Sequence, residues 1–147
     1  MKKILVCICI LTLMLNLSAC SPYRFEVTEN TGRDIMIKAE NANIDDFMEF
    51  GTLEVYKGEE AVVKSNLSEG QLDVELIKIP EDQSIKELPD TDIEPTFLAH
   101  ARNQDELSYS DEDKKSNYYI KVKVIEKATG IINIYARSIN SEEIEDE

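Results

Sequence analysis

Two runs near the end of the chain, residues 119–125 and 131–137, alternate apolar and polar side chains with a period of two. A strand sends successive side chains to opposite faces, so this pattern fits half-buried strands and does not fit a helix. The five residues between the runs, Glu126-Lys127-Ala128-Thr129-Gly130, read as a hairpin loop. Closing that hairpin on Ile125 and Ile131 sets Val124 opposite Ile132, Val122 opposite Ile134 and Ile120 opposite Ala136, on one apolar face. The other face then pairs Lys123 with Asn133, Lys121 with Tyr135 and Tyr119 with Arg137. A slip of one residue would mix the two faces, so the sorting fixes a register.

The same period runs through most of the chain. Ile35, Ile37 and Ala39 alternate with Met36 and Lys38, and Leu53 and Val55 with Glu54 and Tyr56. Lys57-Gly58-Glu59 is a turn before Ala61-Val62-Val63. Ser68-Glu69-Gly70 is a second turn signal, before Leu72, Val74 and Leu76. Phe97-Leu98-Ala99-His100-Ala101 is a further strand, and residues 43–50 are the one short helical candidate. Residues 81–95 carry six acids with Pro89 and Pro95, and residues 103–117 are again acidic, so both read as exposed loops. The expected fold is all-β: a single antiparallel β-sandwich of about seven or eight strands over residues 25–138. An acidic, disordered tail is expected over residues 139–147, where five of the last six residues are Glu or Asp.

The first nineteen residues have a different character. Lys2 and Lys3 precede an apolar run from Ile4 to Leu15, broken only by Thr12. That run is short of the roughly 20 residues needed to span a bilayer, and small residues follow it, so it reads as a signal peptide. Leu17-Ser18-Ala19-Cys20 resembles the lipobox of bacterial lipoproteins. The resemblance implies cleavage after Ala19 and a diacylglyceryl thioether on Cys20, with residues 20–24 as a lipidated tether. Two acyl chains anchor stably where one holds only marginally. The expected location is therefore the extracytoplasmic face of the cell membrane. Cys7 and Cys9 leave with the signal peptide, so the mature domain has no thiol pair and must rest on its core.

Charge and residue types narrow the chemistry. The chain has 16 Lys+Arg against 30 Asp+Glu, a net charge of −14. Losing Lys2 and Lys3 leaves 14 cations against the same 30 acids, a net −16. Such a surface argues against a nucleic acid partner, whose binders cluster Lys and Arg. It is also repelled by anionic headgroups, so the domain is expected to stand off the bilayer. His100 is the only histidine and lies between alanines in a strand, which leaves no serine triad and no His-rich zinc site. A carboxylate-based hydrolase would need two placed acids, and among thirty a chance pair is certain. No enzyme and no metal or other cofactor is expected.

Calcium is the alternative to that absence. Asn41-Ala42-Asn43-Ile44-Asp45-Asp46 offers oxygen ligands like the start of an EF-hand loop. However, Asp46 stands where that loop requires Gly, and Thr52 where it requires Glu. Asp111-Glu112-Asp113 is an equally loose candidate. The outer face of the 119–137 hairpin departs from the general acidity. Tyr119, Lys121, Lys123, Tyr135 and Arg137 would form a basic-aromatic stripe, either a solvated face with ordinary cation–π pairing or a docking surface for an acidic envelope protein or glycan.

The segments 51–58, 70–76, 119–124 and 130–135, with their glycines and alternation, resemble the small, uncharacterised β-sandwich lipoproteins of Gram-positive bacteria. No site residue carries over from that group. The functional expectation is a membrane-anchored, non-catalytic binding or interaction module of the cell envelope. The alternatives are an immunity or exclusion-type lipoprotein that blocks an incoming factor, and a Ca-dependent glycan binder.

Overall fold

A computed structural model describes residues 24–139 apart from 45, 82 and 84–92. The signal peptide, Cys20 and the tail beyond Ile139 lie outside the described residues, as does most of the acidic segment 81–95. Seven antiparallel strands make up the described chain: β1 (Phe25–Asn30), β2 (Asp34–Ala42), β3 (Phe47–Tyr56), β4 (Glu59–Ile79), β5 (Phe97–Ala101), β6 (Glu106–Ser110) and β7 (Lys115–Ser138).

Two of these strands are far longer than the usual five or six residues. β4 has 21 residues and β7 has 24. They pair with each other from end to end, from Glu59 with Ser138 to Ile79 with Asn117. The pairing is irregular only in the middle, between Leu67 and Leu72. There the two strands bend together, and each contributes one half to each of two leaves. The first leaf holds β1, β2, the C-terminal half of β7, the N-terminal half of β4, and β6. The second holds β3, the N-terminal half of β7, the C-terminal half of β4, and β5. The sheet is not closed.

Inward side chains of both leaves form a single core. Ile35 and Ile37 of β2, Leu53 of β3, Leu72 and Leu76 of β4, Ile120 of β7 and Ile132 and Ile134 beyond the bend are all fully buried. Burying each such side chain stabilises the fold by about 1.5–3 kcal/mol.

The alternation within residues 119–137 sorts the faces as expected: Ile120, Val122, Val124, Ile132 and Ile134 are buried. The expected hairpin does not form. Residues 126–130 continue β7 through the bend, and the apolar residues pair with other strands. Val122 pairs with Val74 on one side and Met48 on the other, while Ile134 pairs with Val63 and Ile35. Cross-strand amide contacts in a nuclear Overhauser spectrum should therefore link Val122 to Val74 and Met48. A Val122–Ile134 cross-peak in their place would restore the hairpin.

Three further expectations are corrected. Ser68-Glu69-Gly70 is no chain reversal; it lies within β4 at the bend. The helical candidate 43–50 is a turn followed by β3, whose Phe47 to Phe50 pair with Lys123 to Ile120. Residues 103–117 are not one loop, because β6 and the start of β7 lie within them.

The bend gives the molecule two poles. At the bend pole lie Arg24, the connection from β2 to β3, and the middle of β7; Ala42 pairs with Ala128, and Val124 N–H donates to Asp46 O. At the opposite, distal pole lie the Lys57–Gly58 turn, the β1–β2 turn, the β6–β7 connection and the exit at Ile139. Lys57 N–H donates to Lys114 O, Ile139 N–H to Gly58 O and Glu54 N–H to Gly32 O.

Candidate functional site

The distal pole gathers turns from both leaves, and their polar side chains converge there. Tyr56, at the end of β3, is partly exposed and lies between two cations. The Arg33 guanidinium sits 4.9 Å and the Lys115 ammonium 5.6 Å from its ring centre. Each such contact is worth about 0.5–1 kcal/mol at an exposed site. Both cations are held by carboxylates. Arg33 donates to Glu59 Oε1 over 2.6 Å, and Lys115 donates to Glu54 Oε1 over 3.0 Å. The Lys115 hydrogen bond, then the Tyr56 phenol, hold the Glu54 carboxyl below its usual range. The Tyr56 backbone N–H, then Arg33, do the same for Glu59.

Beside this cluster lies a second one. Asp111 is almost buried and accepts from Lys78 Nζ, from Ser116 Oγ over 3.1 Å and from the phenol of Tyr118 over 2.9 Å. Lys78 also reaches Asp113. The Lys78 ammonium holds the Asp111 carboxyl far below the usual carboxylate range, and in return Lys78 is raised. Burial, then the hydrogen bond to the Asp111 carboxylate, push the Tyr118 phenol up. An open groove of about 610 Å³ runs alongside, lined by Lys78, Ile79, Pro80, Glu81, Asp113, Lys115 and Asn117. Asn117 Oδ1 is buried and accepts no hydrogen bond among the described residues. The pole thus presents an aromatic face flanked by two cations, each paired with a carboxylate.

The five residues of the expected stripe are divided between the leaves. Tyr119, Lys121 and Lys123 lie on the outer face of the second leaf, and Tyr135 and Arg137 on that of the first. The hairpin that would have joined them is absent. Each cation of the stripe has acidic company: Lys121 meets Glu49 at 3.5 Å, Lys123 meets Glu75 at 2.8 Å, and Arg137 bridges Glu60 and Glu106 at 2.6 Å. Burial, then the Glu49 carboxylate, push the Tyr119 phenol up to about 12.

No protein-family model, no curated protein and no solved structure matches this chain. The site rests on its own geometry.

Of the calcium candidates, Asp46, Asp111 and Asp113 are engaged by protein cations, and Asp45 lies outside the described residues. The Asp46 carboxylate accepts from Arg24 and from the Asn43 N–H. Asp111 and Asp113 enclose the Lys78 ammonium, which takes the place a cation would fill. No group of three or more metal-ligating side chains occurs among the described residues. His100 stands on the outer face of β5 with Nδ1 2.7 Å from Asp73. Sequence reasoning singled out none of Arg33, Tyr56, Lys78 and Lys115. They lie far apart in the chain, and only the pairing of β2, β3 and β4 with β7 brings them to one pole.

Proposed function

We propose that this chain is a lipid-anchored, non-catalytic interaction module of the cell envelope, held at the outer membrane face through Cys20 and engaging an envelope partner with its distal pole. The observation that carries the reading is the separation of the two poles. The lipobox resemblance puts Cys20 four residues before Arg24, which is at the bend pole, while the Arg33–Tyr56–Lys115 cluster and its groove lie at the other end. A domain tethered at one end and carrying an aromatic-cation cluster at the other is arranged to meet something outside the bilayer.

Two measurements test it. The N-terminal peptide of the chain purified from membranes should carry a diacylglyceryl mass on Cys20, and Cys20→Ala should move the chain out of the membrane fraction. A photo-crosslinker placed at residue 56 of the anchored chain should capture an envelope component that the same group at Met36, on the first leaf, does not. Equal capture at both positions, or none at residue 56, would remove the distal pole as the docking site. An unmodified Cys20 would remove the anchor.

A further inference from the structure

The two most exposed large apolar side chains among the described residues lie at the bend pole; the next, Ile139 at 49%, is at the distal pole. Ile44 is 61% and Phe47 62% exposed, and Ile125 is 42% exposed. Phe47 and Ile125 line one groove, and Ile44 lies in the turn just before it. Phe47 pairs with Lys123, so it shares an outer face with Lys121, Lys123 and Ile125, and these four with Asp46 and Val124 line a shallow groove of about 360 Å³. Ile44 lies in the turn closed by the Asp46 N–H on Asn43 O, two residues before the Asp46 that lines the groove. The Lys121 ammonium stands 6.0 Å from the Phe47 ring centre. Exposed apolar side chains beside lysine stems, with the lysine heads paired to Glu49 and Glu75, are a combination that a bilayer interface takes well.

Two observations say what covers the patch. The first is reach. Arg24 is pinned to this corner by its 2.9 Å ion pair with Asp46. Cys20 is four residues away, which at full extension is about 14 Å. A lipid on Cys20 cannot enter the membrane without bringing this corner close to it. The second is charge. The acidic segment 81–95 leaves and rejoins at the distal pole, where Thr96 N–H donates to Leu76 O; the Asp111–Asp113 connection and the exit at Ile139 lie there too. Together the segment, the connection and the tail account for 14 of the 30 acids. These acidic stretches are attached to the chain at the distal pole, so repulsion from anionic headgroups favours the pose with that pole outward and the bend pole inward.

We infer that Ile44, Phe47 and Ile125 form a membrane-contacting foot, seated in the interface of the bilayer that holds the chain's own lipid. This rests on the anchored reading above and replaces the expected stand-off with a fixed upright pose. The foot is apolar in its grip, so it holds on zwitterionic as well as anionic lipid.

Processing makes the test simple, because no free thiol survives it. Phe47→Cys, Ile125→Cys and Lys57→Cys each give the mature chain one thiol for a polarity-sensitive fluorophore, at exposed positions that leave the core intact. The lipidated chain is purified in detergent and reconstituted into vesicles of phosphatidylethanolamine and phosphatidylglycerol at 3:1, with and without nitroxide-labelled lipid. Labels at 47 and 125 should shift to the blue and lose about half their emission to the nitroxide, as befits a seat roughly 5–10 Å into the interface. The label at 57, at the far end of β3 and about 30 Å away, should do neither. A chain that carries the diacylglyceryl mass but whose labels at 47 and 125 behave like that at 57 would sink the foot and leave the anchor standing. A chain lacking that mass would sink both.

Discussion

Gly130→Ala is expected to lower the melting temperature by about 10 °C or more, and Gly70→Ala to do the same. The two glycines face each other's strands at the bend. A Cβ on Gly130 would stand 2.6 Å from Leu67 Cα and against the Asn66 carbonyl oxygen. A Cβ on Gly70 would stand 2.7 Å from Ala128 Cα and against the Lys127 carbonyl oxygen. These are backbone atoms of a paired strand, and they cannot swing aside as the end of a side chain can. Gly70 also has a φ of +86° and Gly130 one of +150°, both unfavourable for an L side chain. Overpacking of this kind costs about 1–3 kcal/mol, and a forced left-handed backbone adds about 1–2. The sum is a large share of the 5–15 kcal/mol that holds an ordinary domain. At 2–8 °C per kcal/mol, a shift of that size is easily read by circular dichroism. Gly58→Ala is the control. Its φ is +84°, but nothing lies within 4 Å of the added Cβ, so it should show the backbone cost alone. If Gly130→Ala melted beside Gly58→Ala, the tight crossing of β4 and β7 would be wrong.

The same bend explains what could be seen in the sequence and what could not. Period-two alternation reports which face a residue takes, and it did so here for Ile120, Val122, Val124, Ile132 and Ile134. It does not report the partner strand. Two apolar runs separated by a polar, glycine-ended stretch fit a hairpin and equally fit one strand bent across two leaves. The difference lies in β4. Its inward residues are odd-numbered up to Leu67 and even-numbered from Leu72 on, with the irregular pairing between them absorbing the change. That change of phase at Gly70 looked like a turn. Single strands running through two leaves need about 20 residues, several times the usual length, so the shorter reading is the natural one without a structure. The candidate site was hidden for a related reason. Arg33, Tyr56, Lys78 and Lys115 each sit in an unremarkable local setting, and the chemistry exists only because long-range pairing stacks their strand ends at one pole. The acidic stretches were legible as charge, but their shared departure from that pole was not.

Asp111→Ala should be the most damaging change at the distal pole, costing about 3 kcal/mol. Tyr118 is fully buried and donates its phenol to Asp111 Oδ2, and Ser116 donates to the same oxygen. The Asp113 N–H donates to Oδ1 over 3.1 Å. The variant leaves the phenol and the Ser116 hydroxyl without this acceptor, at about 1–3 kcal/mol for a buried donor left unmet. Lys78 keeps Asp113, which limits its share of the loss. Tyr118→Phe removes the phenol and leaves the carboxylate with Lys78, so it should cost only about 1 kcal/mol. The pH dependence separates charge from packing. Lys78 holds the folded-state Asp111 carboxyl well below its unfolded value of about 3.9. A carboxylate depressed on folding stabilises fully above the unfolded value, and that stability is lost as pH falls toward the folded one. The gap between the native chain and Asp111→Ala should therefore be constant from about pH 8 to pH 5 and narrow below about pH 4. Taking the gap between two chains of nearly equal charge cancels the general gain that acid brings by relieving the net −14. A gap that stays the same width down to pH 3 would mean that Asp111 works by filling space, and the Lys78–Asp111–Tyr118 network would then have no electrostatic part in holding the two leaves together at this end.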